Sequence, residues 1–196
     1  MKVLIACEES QEVCKAFRAK GHEAYSCDIQ DCSGGHPDWH LKMDAFLALY
    51  LMKWDLIILH PPCTHISVSG NRYYAGTTLR IKAATWAQEL YKQATNVCDK
   101  VAMENPVGVL NSLFSWLPEP QYVDLWWFGT EEMKKTGWWK RNLPDLEPTN
   151  NVGPPPEGKD RIKWQKVWYQ SPSKLRGKIR SKLDPNMAKA IAEQWG

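Results

Sequence analysis

The 196 residues, 43% hydrophobic and 24% charged, suffice for one domain with its own core and have the balance of an ordinary globular protein. No apolar run approaches the roughly 18 residues that cross a bilayer, and the N-terminal run Val3-Leu4-Ile5-Ala6 is too short for a signal-peptide core, which predicts a cytoplasmic protein with no membrane partner. The net charge of +3 is unevenly spread: residues 1–133 hold 11 Lys/Arg against 16 Asp/Glu, whereas residues 134–182 hold 13 against 4, which suggests a polyanion-binding surface or, more plainly, a solvated arm.

Residues 3–7 form a short apolar run fit for a buried parallel strand. Residues 11–20 follow, with Val13, Cys14, Ala16 and Phe17 on one helical face and Gly21 as the C-cap. The turn between them, Cys7-Glu8-Glu9-Ser10-Gln11-Glu12, holds no glycine, and side chains resist positive φ. Residues 23–29 predict a second strand, 43–51 a short helix, and 55–59 the clearest strand of the chain. Residues 79–98 predict a long helix with apolar side chains at 83, 86, 87, 90, 94 and 97, and 101–103 the next strand. This alternation argues for an α/β protein with a mostly parallel, doubly wound sheet.

Beyond about residue 115 the pattern changes. This part holds most of the prolines and 8 of the 11 tryptophans, so it predicts a small irregular segment of short strands and loops, with Gly153-Pro154-Pro155-Pro156 as a stiff loop. The tryptophans read as packing groups rather than base-stacking platforms. A last helix runs from Pro185 to about Trp195 with Asp184 as its N-cap.

In an open parallel sheet, ligands sit beyond the carboxyl ends of the strands. Four such ends carry candidate groups: Cys7 and Glu8, Asp28, the run His60-Pro61-Pro62-Cys63, and Glu104-Asn105-Pro106. A thiol and a carboxylate, Cys63 and Glu104, thereby converge on one edge, and His60 reads as a strand-end residue. Cys63 is expected to be partly exposed with a lowered pKa, since thiolate is the nucleophile. Cys27, Cys32, His36 and His40 are spaced like loose zinc ligands, but Gly34-Gly35 between them reads as a mobile loop, so no metal site is expected.

Pro61-Pro62-Cys63 after a hydrophobic strand resembles the nucleophile loop of DNA cytosine-5 methyltransferases. Glu104-Asn105-Pro106 is similar to the Glu-Asn-Val element of that family, and residues 128–134 loosely resemble its Tyr-Gly-x-Pro-Gln-x-Arg segment. Residues 184–192 are similar to its closing helix, and the motifs follow the family's order along nearly the whole chain. His60-Pro61-Pro62-Cys63-Thr64 and the ending Gln194-Trp195-Gly196 resemble a compact phage and bacterial subgroup.

The resemblance implies one Rossmann-like methyltransferase domain over residues 1–196, with a basic Trp/Pro-rich insertion at 134–182 and a closing helix at 184–196. It implies transfer of a methyl group from S-adenosylmethionine to C5 of cytosine in DNA, with Cys63 attacking C6 and Glu104 engaging N3. Cys7, Glu8, Asp28, Ile29, Asp44, Pro61 and Asn186 fall to the cofactor, Asp28 on its ribose and Asp44 on its adenine. Pro62, Thr64, Asn71, Arg72, Asn105, Lys134 and Lys135 fall to the substrate, Asn71 and Arg72 closing over the base and Lys134 gripping phosphate. The chain departs from the family in its glycine-free first turn and in lacking a full target-recognition domain after Gly137. These departures leave two alternatives open: a pyrimidine-modifying enzyme with another donor or a free nucleotide, and a non-catalytic nucleic-acid-binding protein with the same fold.

Overall fold

Val3, Leu4, Ile5 and Ala6 are all fully buried, because their strand lies mid-sheet with helices on both faces. The structure, a computed structural model, describes residues 1–166 and 176–196. Its strands are β1 (Lys2–Ala6), β2 (Glu23–Asp28), β3 (His40–Lys42), β4 (Leu56–Leu59), β5 (Val101–Pro106), β6 (Gln121–Asp124) and β7 (Lys135–Arg141). They form one seven-stranded sheet in the order β3-β2-β1-β4-β5-β7-β6. The first five are parallel, and β7 runs antiparallel to both β5 and β6.

The helices are α1 (Glu12–Ala19), α2 (Ala45–Leu49), α3 (Asn71–Tyr74), α4 (Thr78–Val97), α5 (Leu110–Leu113), α6 (Arg176–Ser181) and α7 (Pro185–Trp195). Val3, Ile5, Ile58, Ala102 and Trp138 point to one face, where α1 and α7 lie with Phe17, Met187 and Ile191. Leu4, Ala6, Ile57, Leu59, Met103 and Trp139 point to the other, against Leu49 of α2 and Ala84, Ala87 and Leu90 of α4. The expected doubly wound α/β sheet is therefore present. Strand order reverses between β1 and β4, the switch point where crevices open in such sheets.

The Trp-rich segment is more regular than its sequence suggests. β7 has seven residues and lies inside the sheet, with Trp138 and Trp139 buried on opposite faces. A strand buried on both sides has no polar alternation to betray it. Pairing with β7 also extends β5 to Pro106, so Glu104 and Asn105 sit within a strand rather than beyond it. Residues 167–175 of the expected basic insertion lie outside the described residues.

The glycine-free first turn reaches positive φ without glycine: Cys7 stands at φ 62° and Gln11 at φ 61°. Gln11 is fully buried; its amide nitrogen donates to Ser26 Oγ (3.1 Å) and the His36 carbonyl (2.9 Å), and its Oε1 accepts from His36 N–H (3.1 Å). Ser33 N–H donates to the Glu9 carbonyl at 2.8 Å. The segment expected to be a mobile loop is thus bound to the turn, and a Cβ on Gly34 would lie 2.5 Å from Gln11 Cβ. Those hydrogen bonds offset the strain of two side chains in the left-handed region.

Candidate active site

β4 ends because proline cannot donate to a ladder. His60 N–H still bonds the Ala6 carbonyl (2.9 Å), but Pro61 and Pro62 stop the pairing and turn the chain to Cys63. The Cys63 carbonyl accepts from Ile66 N–H (3.1 Å) and Ser67 N–H (3.0 Å), which closes a tight turn. This loop is stitched to the one after β5 by Val68 N–H to Val107 O (2.9 Å) and Val109 N–H to Ile66 O (3.1 Å). The two backbones approach so closely at Gly108 that a Cβ would sit 2.5 Å from the Ile66 carbonyl oxygen.

Arg80 of α4, 6% exposed, fixes the far side of the Pro-Pro-Cys loop. Its guanidinium donates to His65 O (2.7 Å), Asn71 Oδ1 (2.7 Å) and Ser67 O (3.2 Å). Sequence reasoning passed over it. The signal was there: Arg80 falls on the buried stripe of α4 with Ala84, Ala87 and Ala94, where an unpaired charge is costly.

Glu104 lies beside this loop. Thr136 Oγ1 donates to its Oε1, and His60 Nδ1 stands 3.5 Å from its Oε2. Burial opposes its charge, but the His60 bond, the Lys134 ammonium and the Thr136 bond together hold the carboxyl below the usual glutamate range. Cys63, half-buried, feels that carboxylate. Burial first and Glu104 second push its thiol up, and Lys134 and Arg180 offset only part of this. The expected lowered thiol pKa is therefore not found in the free protein; the expected partial exposure is. The nearby Asn105 donates its amide to Pro61 O (2.9 Å), which ties the tip of β5 to the Pro-Pro-Cys turn.

On the β1–β2 side, burial first, and after it the charges of Asp28 and more weakly Asp44, hold the Cys7 thiol far above its ordinary value. Asp28 Oδ1 accepts from Gln30 N–H (2.9 Å), and Asp44 Oδ1 caps α2 through Phe46 N–H (2.8 Å). Neither carboxylate is ion-paired among the described residues. Ile29 beside Asp28 is 72% exposed. Two unpaired carboxylates and an open apolar face suit the diol and flat ring of a nucleoside. Glu8 is committed elsewhere: its carboxylate accepts from Val13 N–H (2.6 Å) and Cys14 N–H (3.2 Å) at the start of α1.

The remaining predicted residues divide. Pro61 is buried, Pro62 and Thr64 are exposed beside Cys63, and Asn71 and Arg72 open α3, with Asn71 held by Arg80 and Arg72 exposed over the Tyr73 ring. Lys134 donates to the carbonyls of Arg180 (3.3 Å) and Lys182 (3.5 Å) and bears on both Glu104 and Cys63. Lys135 is not brought to the thiol; it pairs with Asp124 at 3.6 Å. Asn186, at the start of α7, donates to Thr130 Oγ1 (2.9 Å), which in turn donates to Asp184. Among the described residues no cluster of three metal-ligating side chains forms, and no helix is long and apolar enough to cross a membrane.

No family model and no curated protein sequence matches the chain. Among solved structures, the chain is similar to the Dnmt2 methyltransferase of S. pombe, at 12% identity and a TM-score of 0.48, covering 74% of this chain and 51% of that one. The delta-N METTL16 methyltransferase domain matches at 11% identity and a TM-score of 0.39, covering 74% of this chain and 73% of that one. TrmK of M. capricolum, solved with S-adenosyl-homocysteine, matches at 8% identity and a TM-score of 0.43, covering 98% and 86%. The chain spans about half the length of the Dnmt2 chain. All three likenesses are distant, at identities of 8–12%.

Proposed function

We propose that the protein transfers a methyl group from S-adenosylmethionine to C5 of cytosine in DNA, through a transient bond between Cys63 Sγ and C6 of the base. The observation that carries this reading is that Cys63, in the turn after β4, and Glu104, near the end of the neighbouring β5, are held together by the Asn105–Pro61 hydrogen bond, with the carboxylate and Lys134 both bearing on the thiol. C5 of cytosine is a poor nucleophile. Addition of a thiolate at C6 makes it enamine-like, provided the charge appearing at N3 is neutralised. Asp28, Asp44 and Ile29 fit the nucleoside half of the cofactor, which when bound supplies an electrophilic methyl group.

The chain's own groups then act in concert. Glu104 is held as a carboxylate, so it meets cytosine as an acceptor and shares a proton taken up at N3. Once that proton, drawn from solvent, neutralises it, the charge that disfavours the Cys63 thiolate is gone, and the thiol gives its own proton to solvent while Lys134 and Arg180 favour the thiolate. Binding of the base and activation of the thiol are thereby coupled. After methylation the C5 proton leaves to a solvent base, the C6–S bond breaks, and Cys63 regains its thiolate.

The test uses a DNA oligomer carrying 5-fluorodeoxycytidine, which lacks the C5 proton that must leave. Incubation with the full chain and S-adenosylmethionine should give an intact-mass adduct of protein, oligomer and methyl group, absent in Cys63→Ala. No adduct with single- or double-stranded oligomers, together with no methylation of plain cytosine DNA, would remove the reading. An adduct with the free nucleotide alone would move the substrate from polymer to monomer.

A further inference from the structure

The register of the sheet places His60 beside Glu104. Ile58 pairs with Ala102 and Leu59 with Met103, so the next residues along the parallel ladder are His60 and Glu104. Both point to the face shared by Ile58 and Ala102, the α1/α7 side. Across β7, Trp138 is paired with Glu104, and Thr136 reaches back along the same face. The imidazole is hemmed in: its ring stands edge-on to Trp138 at 6.0 Å, and its side chain is 10% exposed.

A carboxylate can only accept, so the contact of His60 Nδ1 with Glu104 Oε2 at 3.5 Å requires the hydrogen on Nδ1. That leaves Nε2, which is buried and has no hydrogen-bond partner. An apolar side chain would fill the same space but would leave Oε2 of the buried Glu104 carboxylate without this hydrogen bond. The stranded atom is the cost of having an Nδ1–H donor at this point. The buried carboxyl of Glu8 also feels the ring, and its own pKa is drawn down by it from the rise that burial imposes.

We propose that His60 is a positioning residue of the pyrimidine site: its Nδ1–H holds one oxygen of Glu104 while Thr136 holds the other, so that the carboxylate meets the base edge in one orientation. The assignment rests on the cytosine reading above, and it adds to it a group outside the thiol–carboxylate pair. The 3.5 Å separation is at the long end for a hydrogen bond and is expected to shorten as the base docks.

Three variants test it in the full chain. His60→Leu fills the space without a donor. His60→Asn sets an amide N–H near the Nδ1 position, and His60→Gln sets it near Nε2, out of reach of Glu104. Adduct formation with the 5-fluorodeoxycytidine oligomer should slow in the Leu and Gln variants by about tenfold or more, the size of one charge-assisted hydrogen bond. Oligomer affinity should stay within about twofold, and Asn should restore the rate. In parallel, carbon NMR should find the Glu104 carboxyl titrating higher in Leu and Gln than in wild type or Asn. Leu and Gln variants with wild-type rates and titration overturn the proposal, as does an Asn variant no better than Gln. Should Leu fail to fold, the Asn and Gln pair decides alone. A wild type that forms no adduct removes the cytosine reading, and the carboxyl titration then decides for or against His60 independently.

Discussion

At Cys63 the two largest influences, burial and the Glu104 carboxylate, both oppose a thiolate. Replacing Glu104 by Gln is therefore expected to lower the thiol pKa and speed alkylation by iodoacetamide near pH 8, by about three- to tenfold. The same variant is expected to lose the cytosine adduct. Peptide mass analysis of Cys63 alkylation against pH measures the first effect, and an unchanged midpoint would show that the carboxylate does not reach the sulfur. Glu8 gives a second residue-scale expectation. Burial raises its carboxyl to about 7 from the ordinary 4.5, so between these values the folded state holds a proton that the unfolded chain has released. Stability from this group is full below the unfolded value and is lost as pH rises through about 7. Urea unfolding of wild type should show a loss on the order of 2–3 kcal/mol between pH 5 and pH 8 that Glu8→Gln largely removes. That Cys63 and Glu104 share one edge of the sheet was legible in the sequence, because Cys63 comes just after one hydrophobic strand and Glu104 at the end of another. The direction of their pKa shifts was not, since it depends on His60, Thr136 and Lys134, which come together only through the register of β4, β5 and β7.

Elements with a one-sided or continuous apolar pattern were legible: β1, α1, β2, α4 and α7 fall within a residue or two of their expected positions. Those that were not owe their existence to neighbours. β3 has three residues and leans on β2, and β7 hides its period because both faces are covered. The Pro-Pro-Cys loop belongs to this second kind, since Arg80 orders it from a helix that follows it. Arg80→Met should strand three acceptors and destabilise the fold by about 2–4 kcal/mol, with faster amide exchange at Ile66, Ser67 and Gly70 than at β1. Equal protection in the loop would show that the guanidinium does not order it. At the other end of the chain, Asp184 caps α7 through Asn186 and Met187 N–H and accepts the Thr130 hydroxyl. Asp184→Ala should cost about 1–2 kcal/mol in chemical denaturation, and a smaller loss would mean that α7 is held by its packing on α1 alone.

For the whole molecule, the proposed ligands would meet one edge of the sheet at two places, a nucleoside at Asp28 and Asp44 and a base at Cys63 and Glu104. S-adenosylhomocysteine at about 100 times its dissociation constant should stabilise the chain by about 2.7 kcal/mol, and Asp28→Ala should shrink that gain by weakening the site. A melting temperature indifferent to the compound at millimolar concentration would count against a nucleoside at Asp28 and Asp44. Binding of DNA through Lys134 and its basic surroundings should weaken steeply with salt, as phosphate contacts release counterions. The tie between Asn105 and Pro61, with the main-chain stitches at Val68 and Val109, has a further consequence. It welds the two reactive tips into one chassis whose span is set by peptide geometry and not by the groups hanging from it. Outward-facing positions such as Thr64, Val68, Arg72 and Tyr73 are therefore interchangeable fittings. Swapping them should retune which nucleic acid is accepted while the distance between sulfur and carboxylate stays as it is.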